Sequence, residues 1–315
     1  MTDKAPFAVQ MRGIHKHFGA VQANVDVSLS VRAGTVHGLV GENGAGKSTL
    51  MSVLYGFYRA DAGAISLFGR EADIHNADDA IALGVGMVHQ HFMLVDTLTA
   101  LENVMLGAEP HWLLLRSAQE VRGKLQELMQ STGLIVDLDR LVGDLPVGDR
   151  QRLEILKALY RGAKILILDE PTNGLDPEGI QEVRDLLKKL ASEGTTVFVS
   201  SHLLSEIEII SQHIVMLRKG EVVFAGAIDE LLLNQKPTII VRTEIESDLA
   251  KVAAIATAQG HHVTIRHGEA HIEGPHEWAA VLNKLAFEAG IVLSQLTPTL
   301  PNLEETFFEM TGGQS

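Results

Sequence analysis

Gly41-Glu42-Asn43-Gly44-Ala45-Gly46-Lys47-Ser48-Thr49 fits the pattern G-x-x-x-x-G-K-[ST], and the residues on either side decide how to read it. The apolar run Val36–Val40 precedes it as a strand, and STLMSVLYGF follows it as a helix. Glycines without Cβ let the backbone curl so that successive N–H groups point inward. The helix N-terminus adds its positive dipole end, and together these form a cradle for phosphate. In such a loop Lys47 bridges the β- and γ-phosphates of a nucleotide, and the Ser48 hydroxyl is a ligand for Mg²⁺.

Outward from this loop, short runs of Val, Ile and Leu alternate with helix-like segments. That is the pattern of a mostly parallel sheet covered on both faces, an α/β fold. The clearest further strands are 85–89, 165–168 and 196–200. The run 165–168 ends in Asp169 and Glu170, and an open α/β sheet presents its ligand-binding groups at strand ends. Asp169 suits Mg²⁺, directly or through water, while Glu170 is free to orient or deprotonate an attacking water. Residues 214–225, IVMLRKGEVVFA, read as a hairpin turning at Lys219-Gly220. Residues 92–161 carry amphipathic stretches such as 119–130 and few strand signals, so they read as a helical insert.

The pattern changes near residues 233–237. Beyond it the order is strand 238–242, helix 248–259, hairpin 263–272, helix 278–289 and strand 291–295, a small α+β appendage of ferredoxin-like type. The expected domains are therefore 1–235 and 236–315.

Composition narrows the chemistry. The 315 residues include 26 Lys+Arg against 40 Asp+Glu, a net charge of −14, with 46% apolar and 21% charged residues, so the chain can bury a core and is not disordered. The acidic balance disfavours a nucleic-acid partner, because that affinity rests on basic side chains neutralising phosphates. With no cysteine, disulfides, cysteine-ligated zinc, iron–sulfur clusters and thiol nucleophiles are excluded. The N-terminus lacks the apolar core of a secretory leader, and no run is long enough to span a bilayer.

Residues 9–233 resemble the nucleotide-binding subunits of ABC transporters, on the glycine loop, the Asp169-Glu170 strand end and five further landmarks in the family's order. The resemblance implies a P-loop NTPase fold of the ABC ATPase type with a helical subdomain. ATP and Mg²⁺ would be its cofactors, with residues 41–49 cradling the nucleotide. Phe18 in HKHFG matches the aromatic that stacks on adenine. Gln90 in MVHQ matches the glutamine that senses the γ-phosphate and Mg²⁺ and joins the core to the helical insert. Residues 145–152, LPVGDRQR, are similar to the LSGGQ signature, whose helix faces ATP held by the opposite subunit. Pro146 and Val147 replace a serine and a glycine there, which removes one hydroxyl donor and leaves Gly148 as the matching glycine. Residues 171–176, PTNGLD, look like the loop through which two subunits communicate, with Asp176 as its acid. His202, after TVFVSS, stands at the family's switch histidine, which would contact the γ-phosphate and help hold Glu170 and the water in line.

By the same resemblance, Glu170, His202 and Lys47 carry hydrolysis, and Ser48, Gln90 and Asp169 hold Mg²⁺. The partners implied are integral membrane permease subunits and a second ATPase subunit in a homodimer, peripheral to the cytoplasmic face of the membrane. MVHQHFMLVDTLTALENVMLG and the LPVG signature look like sugar- or nucleoside-import ATPases, whereas residues 200–233 and the tail LEETFFEMTGG resemble export-type subunits. Length and appendage tip the expectation toward export. The alternatives are an import ATPase, a soluble ABC ATPase acting on ribosomes or DNA, and a binding-only regulator. The pairs His15/His17, His89/His91 and His261/His262 lack an evident third metal ligand. The apolar run 112–115 beside Pro110 reads as helix core before membrane contact, and Phe307, Phe308 and Met310 as packing of a final helix.

Overall fold

Two long strands that the sequence does not announce open the chain, β1 (Phe7–Phe18) and β2 (Val21–Arg32), paired antiparallel. The computed structural model describes residues 6–106, 114–233, 236–299 and 302–310. After β3 (Val36–Val40) and α1 (Lys47–Leu54), β4 (Ala62–Leu67) and β5 (Arg70–Glu71) complete a four-stranded antiparallel sheet of order β2-β1-β4-β5. The expectation of a mostly parallel sheet therefore holds for only one of two sheets in this unit. The register of β1 on β2 shifts between Met11 and Ile14, which breaks the alternation that would have revealed both strands.

The second sheet takes β3 together with β6 (Val85–Val88), β7 (Ile165–Asp169), β8 (Thr196–Ser201), β9 (His213–Arg218) and β10 (Glu221–Ala227), and the helices α2 (Ala77–Ala82), α6 (Pro177–Ser192) and α7 (Leu204–Ile210) lie between these strands in the chain. Its order is β10-β9-β3-β8-β7-β6, parallel except for the terminal hairpin β9-β10. Every residue of β3, β7 and β8 is buried, as expected of strands covered on both faces. Leu39, Ile165, Ile167 and Phe198 join Met11, Ile14 and Leu50 in one core that welds the two sheets. The helical insert between β6 and β7 contains α3 (Ala100–Met105), α4 (Leu114–Thr132) and α5 (Val147–Tyr160). α3 opens on a reciprocal cap between Thr99 and Glu102. Of the apolar run 112–115, residues 112–113 lie outside the described residues, as does Pro110 beside it.

The chain divides into two compact units at Ile228/Asp229, ahead of the boundary expected at 235, with α8 (Ile228–Leu233) beginning at the division. The second unit runs β11 (Thr238–Thr243), α9 (Leu249–Ala258), β12 (Val263–Arg266), β13 (Glu269–Glu273), α10 (Trp278–Glu288), β14 (Leu293–Thr299) and α11 (Leu303–Met310). Its antiparallel sheet has the order β12-β13-β11-β14, the βαββαβ ferredoxin-like arrangement. Ile239, Val241 and Ile272 face Val252 and Leu282 of α9 and α10 in a core of its own. In α11 Met310 is exposed rather than packed, being the last helical residue. Among the described residues no helix is long and apolar enough to cross a membrane.

Candidate nucleotide site

The site is assembled where β3, β7 and β8 end. Gly46, just before α1, has φ 98°, and a Cβ there would lie 2.2 Å from the Ala23 carbonyl oxygen, so only glycine fits. The Asn24 Nδ2 donates to Gly46 O at 3.2 Å, and the Gly220 N–H donates to Ala45 O at 3.0 Å, which fixes the loop from two sides. Lys47 donates from Nζ to the carbonyls of Gly41 (2.7 Å) and Glu42 (3.3 Å). Burial pushes its pKa below the usual lysine range, and the Glu170 and Asp169 carboxylates oppose that shift.

Parallel pairing puts Asp169 opposite Ser200. Asp169 Oδ1 accepts the Ser200 hydroxyl at 2.5 Å and the Ser48 hydroxyl at 3.3 Å, so a buried carboxylate is tied to the first turn of α1. The next residue leaves the strand abruptly. Glu170 has φ 52°, a left-handed conformation that costs a non-glycine residue on the order of 1–2 kcal/mol. Its N–H is shared between the Ser200 carbonyl (3.2 Å) and hydroxyl (3.1 Å). Glu170 Oε2 meets His202 Nδ1 at 2.5 Å, with the carboxylate mostly buried and the imidazole 48% exposed.

Phe18, Gln90, Glu170, His202 and residues 43–49 line one open cleft of about 540 Å³. Phe18 is exposed at its mouth, edge-on to Tyr58 with ring centroids 5.0 Å apart. Gly41, Glu42 and Asp169 support this lining from behind through the contacts of Lys47 and Ser48. Gly148 and Asp176 are not brought into the cleft. Gly148 lines a separate one with Arg152, Leu175 and Gly179. Asp176 caps α6 by accepting the Gly179 N–H at 2.9 Å. At α5 the N-cap is Pro146, whose side chain supplies no capping bond.

One member of each histidine pair is otherwise engaged. His17 pairs with Asp61 at 2.6 Å, His89 packs on Phe57, and His261 packs at a tilt against Trp278 while its Nδ1 meets Glu273 O at 2.8 Å. Among the described residues no group of three or more His, Asp or Glu is placed to hold a metal ion by itself. Sequence reasoning misses Ser200, and Tyr58 beside Phe18, and it places Asn173 only in the loop 171–176, although Asn173 lines the cleft. A buried serine hydroxyl needs a hydrogen-bond partner, but nothing in the spacing of the sequence shows that Ser200, the penultimate residue of β8, is buried against Asp169.

These residues fit a nucleotide with its metal. The loop leaves open space above Gly44, where an added Cβ would meet nothing within 4 Å, and Lys47 supplies a charge for phosphate. Ser48 and Asp169 converge as hard oxygen donors, and Gln90 lines the same cleft, a set suited to Mg²⁺. A glycine loop between a buried strand and a helix, with a carboxylate at the end of β7, one strand beyond the adjacent β8, defines a P-loop nucleotide-binding domain.

Known proteins narrow the class. The sequence matches the ABC transporter family over residues 25–173, and over 143–208 a family described as AAA domain, putative AbiEii toxin, type IV TA system. It is 42% identical over 228 residues to the nucleoside import ATP-binding protein NupA of Lactococcus lactis subsp. cremoris, covering 72% of this chain and 44% of that protein. It is 39% identical over 248 residues to the guanosine import ATP-binding protein NupO of Bacillus subtilis, covering 79% and 49%. The glucose import ATP-binding protein TsgD13 of Haloferax volcanii is 43% identical over 246 residues, covering 69% and 44%. The chain thus spans about half the length of the curated relatives it matches. The ADP conformation of an ATP-binding cassette of an ABC transporter superposes with a TM-score of 0.64 at 26% identity, over 71% of this chain and 92% of that one. A dimeric bacterial ABC transporter cassette gives 0.61 at 26% identity, over 70% and 98%. The chain belongs to the ATP-binding cassettes of ABC transporters. The expectation of export is corrected here: these relatives are named for import, and none supports the export-type resemblance of the tail.

Proposed function

We propose that this chain binds ATP with Mg²⁺ in the cleft of residues 43–49 and hydrolyses it, powering import through separate membrane-embedded subunits. The observation that carries the reading is the 2.5 Å contact of Glu170 and His202 in the same cleft as Lys47 and Ser48. Lys47 binds the β- and γ-phosphates, exchanging its carbonyl contacts for phosphate oxygens, and the backbone of 44–49 cradles them. Ser48 and Asp169, with Gln90, hold Mg²⁺, which when bound neutralises phosphate charge. Phe18 stacks on the base. Glu170 orients a water and takes its proton as the oxygen attacks the γ-phosphorus, the β–γ bond breaks, and ADP and phosphate leave. His202 holds Glu170 in place and contacts the γ-phosphate.

Gly148 and Asp176 lie outside the cleft of their own chain, which supports a head-to-tail homodimer in which each completes the site of the other copy. Closure of such a dimer moves the helical insert against a membrane partner at the cytoplasmic face. Import is favoured by the names of the relatives, which concern nucleosides and glucose, and by the LPVG signature. Phosphate release by the wild type beside Lys47→Ala tests the chemistry: equal rates defeat it. Identifying the integral protein that co-purifies from membranes, then measuring uptake of nucleosides and sugars into vesicles holding both, tests direction; ATP-dependent efflux instead defeats import.

A further inference from the structure

A carboxylate in the middle of an amphipathic helix ordinarily faces water, yet Glu154 of α5 is only 6% exposed. Its Oε1 accepts the Met93 backbone N–H at 2.5 Å, across 61 residues of sequence. The His89 backbone N–H also favours the charged carboxylate, so Glu154 addresses both ends of the short segment that carries Gln90. Oε2 is buried and makes no hydrogen bond of good geometry among the described residues. A neutral side chain would fill this place without the desolvation cost of a charge. Tyr55, His89, Lys157 and Arg161 line the small cavity of about 170 Å³ beside it and are the titratable or charged groups that face it. Lys157 favours its charge, and burial opposes it.

α5 begins at Val147, and its second residue Gly148 is proposed to complete the other subunit's site, whereas Gln90 belongs to the cleft of its own chain. One side chain therefore joins a helix whose start meets one nucleotide to a segment that meets another. We propose that Glu154 is a positioning residue for ATP hydrolysis, clamping the Gln90 segment to α5 so that displacement at either end is passed to the other. The role rests on the function proposed above. The clamp itself is a direct hydrogen bond and needs no longer chain of contacts.

The test compares the full chain with Glu154→Leu, which keeps bulk without an acceptor, and Glu154→Gln, which keeps an acceptor oxygen at the same reach. Without nucleotide, the Met93 amide should exchange its hydrogen about tenfold faster in the Leu variant, while in the Gln variant it should stay close to wild type. In steady state, kcat should fall about tenfold in the Leu variant with KM for ATP within about twofold, and Gln should restore most of the loss. Should the Leu variant fail to fold, Glu154→Asp, which withdraws the acceptor by one methylene, carries the same expectation. Unchanged exchange at Met93, or faster exchange with unaltered kcat, overturns the proposal. Because exchange is read without ATP, a chain that never hydrolyses ATP would defeat the function above and be recognised by its inactive wild type, with the clamp still tested.

Discussion

Glu170 Oε2 and His202 Nδ1 lie 2.5 Å apart, joining the residue after β7 to the residue after β8 across the C-terminal edge of the parallel sheet. Glu170 reaches that position from a left-handed backbone conformation, held by Ser200 through both its carbonyl and its hydroxyl. Strain kept in place by neighbouring hydrogen bonds fixes a carboxylate more closely than a relaxed strand end would. Replacing the carboxylate alone tests its part as base: Glu170→Gln should lower ATP turnover by about 10²–10⁴-fold while nucleotide affinity stays within a few-fold. Phosphate release and equilibrium nucleotide binding, measured on one preparation, separate the two quantities.

If His202 acts through Glu170, its loss must matter less once Glu170 can no longer take a proton. His202→Ala should reduce kcat by about tenfold or more in the wild-type background and by much less in Glu170→Gln. A double-mutant cycle on kcat reads the coupling directly, and additive losses would assign the histidine an independent role.

The glycine loop offers a comparison of two positions that differ in space but not in backbone sign. Gly44 has φ 82° with nothing within 4 Å of an added Cβ, whereas Gly46 has φ 98° and the Ala23 carbonyl in the way. Gly44→Ala should destabilise by about 1–2 kcal/mol, the cost of a left-handed alanine. Gly46→Ala adds a backbone clash, so its loss in urea unfolding should be clearly larger, with nucleotide binding abolished as α1 is pushed from β2.

What could be read from the sequence follows from where burial is uniform. β7 and β8 carry unbroken apolar runs, Ile165–Leu168 and Val197–Val199, because both faces are covered, and these runs stood out; β1 and β2, half solvated and interrupted by register shifts, did not. Lys47, Ser48 and Glu170 were legible because their chemistry requires fixed spacing from glycines or from a strand end. The left-handed backbone of Glu170 was not, since nothing in a glutamate signals φ 52°. Ser200 was hidden because its bond to Asp169 depends on the register between two strands 31 residues apart in sequence. The burial of Glu154 is not legible either, as helical periodicity cannot tell a buried carboxylate from a solvated one.

That buried carboxylate leads to a prediction on pH. Burial raises the Glu154 pKa from 4.5 to about 7, with the Met93 N–H, Lys157 and the His89 N–H opposing the shift. Below the ordinary value the group is neutral in folded and unfolded chains alike, and folding carries no penalty from it. As pH rises past that value, the unfolded chain releases the proton first, so stability falls until the folded group also ionises near 7 and then levels off. Such a displacement corresponds to roughly 3 kcal/mol, at 1.36 kcal/mol for each pH unit. Glu154→Gln has no proton to lose. Its stability relative to wild type should therefore rise by about 2–3 kcal/mol between pH 5 and pH 8, whatever offset the lost carboxylate contacts impose at both. Urea unfolding of the two proteins at those pH values measures the change, and a difference that is flat or of opposite sign would assign Glu154 an ordinary, solvated titration.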